Sequence, residues 1–243
     1  MLSSVIYSCE SWLSDKLGKL NTLYMASIKA VLGVRESCPN LVALLEGGFA
    51  RLSALIKERQ YRFFKKLING RAQMDDDPFM LMLRTARENK TPAAQYIDNV
   101  LKCTAVSFID RDLEEMRLQL REATGSKFVT YGQINTDLQK HPMYENRTIP
   151  EFKRIALTRF RTSSHRLRIE TGRWSRIPRE RRICNCGLAE VQDEAHVIEA
   201  CLHMNELKHL FPNMNFTIEA FFDNDLEELA TFVFKALDIY NIL

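Results

Sequence analysis

Apolar residues recur at three- and four-residue steps along most of this chain, the period of an amphipathic helix and not of a strand. Leu17, Leu20, Tyr24, Ile28 and Val31 make the first stripe, with Ser14 as a helix cap and Gly33 as the stop. A turn at Ser37-Cys38-Pro39-Asn40 leads into a short helix from Leu41 to Glu46, closed by Gly47-Gly48. The next helix is long and turns Leu52, Leu55, Ile56, Phe63, Phe64, Leu67 and Ile68 inward, which allows a small three-helix bundle. Asp77-Pro78 and Thr91-Pro92 each read as a cap followed by proline at the first helical position. That reading also accounts for Asp75-Asp76-Asp77, whose clustered carboxylates otherwise suggest a two-metal site. Asp110 or Asp112 opens a further helix with Leu113, Met116 and Leu120 inward and Gly125 as its stop. Phe128, Val129, Tyr131, Ile134 and Leu138 make another, ended before Pro142. After Pro150, the residues Phe152, Ile155, Ala156, Arg159 and Phe160 trace an inner face with a basic edge. Beyond Cys201, Met204, Leu207, Leu210 and Phe211 form one short helix and Ile218, Phe221 and Phe222 another. Asn224 then caps a helix from Leu226 to Tyr240, whose apolar face needs a partner, either the cysteine-rich segment before it or another chain.

Composition agrees with a mostly α chain. Gly and Pro number only 9 and 7, too few for a turn-rich β architecture, and 46% hydrophobic residues can bury a sizeable core. No apolar run reaches about eighteen residues, and the chain opens on Met1-Leu2-Ser3-Ser4 without a leader segment, as if inside a domain. The expectation is an intracellular protein of nucleus or cytoplasm, with no membrane and no small-molecule substrate. The division expected from the pattern is a helical bundle over 1–72, a helical connector over 73–147, a basic helical belt over 148–182, and a cysteine-rich segment with terminal helices over 183–243.

Charge is distributed unevenly. The net charge of +3 resolves into +4 over residues 1–150, +8 over 151–182 and −9 over 183–243. The belt therefore precedes an acidic tail, and the two can neutralise each other or meet different partners.

Three of six cysteines and one of five histidines fall between Cys184 and Cys201. Cys184 and Cys186 sit on a turn, Gly187 frees the backbone to aim amides at their sulfurs, and Asp193 to Ala200 reads as a short helix holding His196, with Cys201 at its exit. Thiolate and imidazole are the donors a tetrahedral zinc ion selects, and four of them leave no open position, so the expectation is a structural zinc held by Cys184, Cys186, His196 and Cys201. The alternative is a set of free thiols in a reducing compartment. His203 and His209 are spare donors. Cys9, Cys38 and Cys103 lie among apolar neighbours and read as buried thiols.

Just upstream, Arg159, Arg161, His165, Arg166, Arg168, Arg173 and Arg176 are interleaved with Ser, Thr and Trp174. Guanidinium groups for charge, hydroxyls for hydrogen bonds and one ring for stacking are what a phosphate-tracking surface needs. The competing reading is a cationic face paired with the acidic tail.

Arg161-Thr162-Ser163-Ser164-His165-Arg166-Leu167 through Arg173-Trp174, then Arg179 to Gly187, then Val191-Gln192-Asp193-Glu194-Ala195-His196 and Cys201, resembles the carboxy-terminal zinc-knuckle region of non-LTR (LINE-type) retrotransposon reverse transcriptases. Tyr7-Ser8-Cys9-Glu10-Ser11-Trp12, Leu32-Gly33-Val34-Arg35 and Glu46-Gly47-Gly48 resemble the thumb that follows the polymerase palm in those proteins. The resemblance spans nearly the whole chain and implies a grip on template RNA or target DNA, with Cys184, Cys186, His196 and Cys201 as zinc ligands. The chain departs from that family in carrying no Tyr-x-Asp-Asp palm motif and no endonuclease carboxylate-histidine set, and in the one-residue spacer between Cys184 and Cys186. The expectation is thus a non-catalytic carboxy-terminal portion of a reverse transcriptase that binds nucleic acid through the belt. Its rival is a helical protein-interaction module using residues 226–240 as the partner surface.

Overall fold

A computed structural model describes residue 9 and residues 17–71, 77–102 and 107–240, so Ser14, Asp75, Asp76 and Cys103 lie outside the described residues. The chain is mostly helical: twelve α-helices and no strand occur among the described residues. They are α1 (Gly18–Leu32), α2 (Asn40–Gly47), α3 (Leu52–Arg71), α4 (Pro78–Glu88), α5 (Pro92–Leu101), α6 (Phe108–Glu122), α7 (Ser126–Ile134), α8 (Glu151–Arg161), α9 (Arg168–Trp174), α10 (Glu194–Glu199), α11 (Asn205–His209) and α12 (Leu226–Ile239). No helix among the described residues is long and apolar enough to cross a membrane.

Two compact units form, one from Met1–Ser27 and Phe49–Met116, the other from Ile28–Gly48 and Arg117–Leu243. Each is drawn from two separate stretches of chain, whereas the sequence division ran in chain order.

In the first unit, helix starts follow the local capping rules. The Asp77 carboxylate accepts from Phe79 N and Met80 N at 3.0 and 3.1 Å, and Thr91 Oγ1 accepts from Ala94 N, each just before a proline. Asp110 and Asp112 do not open α6. Ser107 Oγ accepts from Ile109 N, and the carboxylate of Glu58 on α3 accepts from Phe108 N at 2.9 Å. A side chain fifty residues away thus completes the cap, and Asp112 instead accepts from Arg51 N at 2.7 Å. Phe64, Leu83, Ile97 and Val100 form the small core between α3, α4 and α5. Phe63, read as inward, is exposed. Gln60 takes a buried place on α3, bonded by Tyr96 Oη.

The second unit holds the larger core. Its centre is α8 against α12, where Ala156, Leu157 and Phe160 meet Leu229, Val233, Ala236 and Leu237. The apolar face of α12 is therefore covered within its own unit, and Phe232, Val233 and Leu237 are not open to another chain. Asp225, not Asn224, caps α12, accepting from Glu227 N and Glu228 N, while Asn224 bonds Asn215 and Phe221 in the preceding loop. The second short helix expected over Ile218 to Phe222 is a single 3-10 turn, Phe221–Asp223. Leu210 and Phe152, both read as inward, are exposed. On α8, Ala156 and Phe160 are buried as expected, and Leu157, Thr158 and Arg161 are buried beside them, while Ile155 and Arg159 are half-buried. At the end of α1, Val31 faces solvent and Leu32 is buried in its place. Gly33 stops α1 as expected. Its φ is +68°, and a Cβ there would lie 2.8 Å from Ile155 Cγ1, so both conformation and space demand glycine.

A buried polar network ties α2 to α7 and α8. Arg161 Nε donates to Glu46 Oε1 at 2.8 Å and Nη2 to Oε2 at 3.3 Å, with the two side chains 2% and 0% exposed. Tyr131 Oη and Tyr144 Oη donate to the two oxygens of the same carboxylate at 2.9 and 3.2 Å. Asn135 donates to Tyr131 Oη and to Gln139 O, which turns the chain out of α7 well before Leu138. Burial, with Glu46 adding, pushes both phenols well above their ordinary value, so they remain donors.

Candidate metal centre

The segment after Arg179 begins with a tight hairpin. Cys184 N donates to Glu190 O at 2.7 Å, Gln192 N donates to Arg182 O at 2.9 Å, and Ile183 and Val191 form an isolated antiparallel bridge. Gly187 has φ +98°, in the left-handed region that glycine enters freely, and this lets the turn close over Cys186. The Leu188 amide of this turn bonds the Cys186 sulfur, as Gly187 foretold, and the Leu202 amide, from beyond Cys201, bonds it as well. Asp193 then caps α10 by accepting from His196 N at 3.1 Å. Cys201 N donates to His196 O, so Cys201 leaves the helix one turn beyond the histidine and returns to the hairpin.

These local choices bring Cys184 Sγ, Cys186 Sγ, Cys201 Sγ and a His196 ring nitrogen within 4.8 Å of one another. Cys184 Sγ and Cys201 Sγ are 3.8 Å apart, and Cys186 Sγ and His196 Nε2 3.4 Å apart. Tetrahedral bonds of about 2.3 Å to sulfur and about 2.0–2.1 Å to nitrogen set edges of about 3.8 Å between sulfurs and about 3.5 Å from sulfur to nitrogen. The cluster fits a metal ion in both donor type and spacing.

The surrounding groups suit that role. Glu190 Oε2 lies 2.7 Å from His196 Nδ1, which places the proton there and leaves Nε2 with its lone pair toward the sulfurs. Gln192 Nε2 points at Cys184 Sγ at 3.6 Å, and Tyr240 Oη lies 2.9 Å from Cys201 Sγ. Burial acts against the Cys186 thiolate, but the Leu188 and Leu202 amides together with Cys184 and His196 outweigh it and bring its pKa down to about 7. Burial pushes Cys201 up to about 11, with the neighbouring Cys184 adding to the effect. Glu190 carried no signal in the sequence, Gln192 stood only within the resembling stretch, and Tyr240 read as part of the apolar face of the last helix. Tyr240 is 39 residues from the sulfur it meets. His203 and His209 are exposed on the far side of Cys201, and His203 packs edge-on against Tyr240.

Gln192 also connects the centre to the basic belt. Its Oε1 accepts from Arg168 N at 2.8 Å and its carbonyl accepts from Ile169 N at 3.0 Å, so the residue beside Cys184 Sγ holds the first turn of α9. Arg182 reinforces the join by donating to Ile169 O and twice to Ile177 O at 2.7–2.8 Å.

The eight residues expected to contact nucleic acid separate into distinct environments. Arg161 is buried against Glu46. His165 is 1% exposed, with Nε2 2.8 Å from Glu194 Oε1, an oxygen that also accepts from Ser163 Oγ. Neither reaches solvent, so neither belongs to a phosphate-tracking surface, and α8 periodicity is the reason for Arg161. Arg168 is exposed and donates to Ile183 O, while Arg173 is half-buried on Glu170 and Ser126. Arg159 is half-buried, with Nε on Gly33 O at 2.8 Å. Arg166, Trp174 and Arg176 are exposed. The pairing of belt with acidic segment occurs at the knuckle itself, through His165 with Glu194 and Arg179 with Asp193. Arg35, which sequence reading did not place here, stacks over the Trp174 ring at 4.7 Å. No protein-family model, curated protein or solved structure matches the chain.

Proposed function

We propose that this chain is a non-catalytic nucleic-acid-binding module of the LINE-type reverse-transcriptase kind, in which a structural zinc ion held by Cys184, Cys186, His196 and Cys201 organises a basic surface. The observation that carries it is the three-sulfur, one-imidazole cluster whose outer contact, Gln192, also holds the start of α9. Soft sulfur donors with imidazole at tetrahedral spacing favour zinc over harder oxygen-seeking ions, and four ligands leave the ion a structural part. Glu190 orients His196, while Gln192, Tyr240 and the loop amides spread the charge of three thiolates. Arg166, Arg168 and Arg176, with Arg35 and Arg159, supply the cations for a phosphate backbone, and the resemblance in the Arg161 to Cys201 stretch supports that class of partner.

Elemental analysis of the purified chain tests the first half, with about one zinc per chain expected. Cys201→Ser is expected to lose the metal and to lower the unfolding midpoint of the second unit, since site formation and folding are coupled. Anisotropy titration of labelled RNA and DNA between 50 and 200 mM salt tests the second half, with affinity falling at least tenfold across that range. A zinc-free chain with an unchanged melt in Cys201→Ser, or binding insensitive to salt, refutes the corresponding half.

A further inference from the structure

Trp174 ends α9 on the surface, 46% exposed, and Arg35 Cζ lies over its ring, 4.7 Å from the centroid. Arg35 is held there by a clamped turn. Val34 N donates to Lys29 O, Lys29 Nζ donates to Glu36 O at 2.7 Å, and Arg159 Nε donates to Gly33 O from α8. Gly33 allows the close approach to Ile155 that seats this turn. Arg35 is thus positioned by backbone contacts and not by an acid.

The charge around the ring is unbalanced. Burial and then the neighbouring Arg166 and Arg159 lower the Arg35 pKa, so each of these two cations repels Arg35. Glu170 acts on Arg35 in the opposite sense, but it is buried, and Lys127 Nζ at 2.6 Å and Arg173 already share its carboxylate. Arg35 over an open indole, with the charges of Arg159 and Arg166 acting on it, suits a chain of phosphates carrying a ring that can stack. Inside a duplex the base faces are occupied by their neighbours, and only backbone phosphates would meet the cations.

Resting on the nucleic-acid reading above, we propose that Arg35 and Trp174 form a stacking platform for an unpaired base, with Arg159 and Arg166 receiving the adjacent phosphates, so that the partner is single-stranded nucleic acid. The test is anisotropy of the full zinc-loaded chain with four labelled probes: oligo-dT, oligo-U, an abasic strand of equal phosphate count, and a duplex, each about twelve residues long. Oligo-dT and oligo-U are expected to bind about 5- to 100-fold more tightly than the abasic strand. Trp174→Ala is expected to erase that difference and leave abasic binding unchanged, while Trp174→Phe restores part of it. Arg166→Gln is expected to weaken all four probes and reduce the salt slope by about one. The ratio of oligo-U to oligo-dT affinity identifies RNA or DNA as the source of the strand. Wild-type affinity in Trp174→Ala, or a duplex bound more tightly than both single strands, overturns the platform while leaving nucleic-acid binding standing. No binding to any probe overturns both.

Discussion

Removing Arg161 while keeping Glu46 is the most informative perturbation of the second unit. Arg161→Met leaves the volume of the side chain nearly filled but strips the fully buried Glu46 carboxylate of its cation and of two hydrogen bonds, at 2.8 and 3.3 Å. Breaking a buried pair from one side costs about 3–5 kcal/mol. Tyr131 and Tyr144 still donate to Glu46, and with each such bond contributing about 1 kcal/mol net, the expected loss lies near the lower end, about 3 kcal/mol. Glu46→Leu is expected to cost about as much, since it leaves a buried guanidinium and the Tyr131 phenol without acceptors. The double variant removes both charges. Its remaining cost is that of the phenols, of which Tyr144 keeps Thr158 Oγ1 at 3.0 Å, so a total of about 2–3 kcal/mol is expected, well below the sum of the single losses. The assay is urea unfolding with zinc present, followed by hydrogen exchange on α2 and α8 so that the second unit is read separately from the first. Oligonucleotide affinity measured in parallel is expected to keep its salt slope in Arg161→Met, because this arginine faces no solvent. Single losses below about 1 kcal/mol that simply add would refute the buried network, and a reduced salt slope would return Arg161 to the binding surface.

Three further outcomes follow from separate parts of the second unit. Glu190→Gln keeps a side chain of the same shape but weakens its hold on His196 Nδ1, and is expected to lower zinc affinity about tenfold in competition with a chelator, with little change in fold. Burial lowers His141 to about 4, with Arg161 adding to the shift, whereas its unfolded value is 6.5. Between those values the unfolded chain binds the extra proton, so stability falls as pH drops from 6.5 toward 4, by about 2–3 kcal/mol in all. His141→Asn, which retains an acceptor for Met143 N, is expected to flatten that part of the pH profile of urea unfolding; an unchanged profile would clear His141 of the effect. Gly33→Ala forces a Cβ to 2.8 Å from Ile155 Cγ1 at positive φ and is expected to cost about 1–3 kcal/mol by thermal or urea melting, with no loss of zinc.

Helix starts at Asp77-Pro78, Thr91-Pro92 and Asp193, the stop at Gly33 and the Cys184-to-Cys201 cluster were all legible in the sequence. Each depends on atoms a few residues apart, and the metal donors sit on a hairpin and a short helix whose geometry is local. The α6 start was not legible, because Glu58 completes its cap from another helix. Arg161 reads as a solvent cation until Glu46, 115 residues earlier, is placed beside it, and His165 does so until Glu194 is. The inner face of α8 was read correctly at Ala156 and Phe160 but also takes in Arg161, because Glu46 makes arginine a tolerable core residue, and Phe152 lies outward. The donors beside the sulfurs, Tyr240 above all, and the stacking of Arg35 on Trp174 also join distant segments. Helical period, the caps made by neighbouring residues and the three-cysteine, one-histidine cluster were determined by the sequence alone, because short-range geometry selects them. Which charges are buried, which arginines remain to meet an anion and what covers the apolar face of α12 were decided only in the tertiary structure, where a charge is retained or excluded by the partner that long-range packing brings to it.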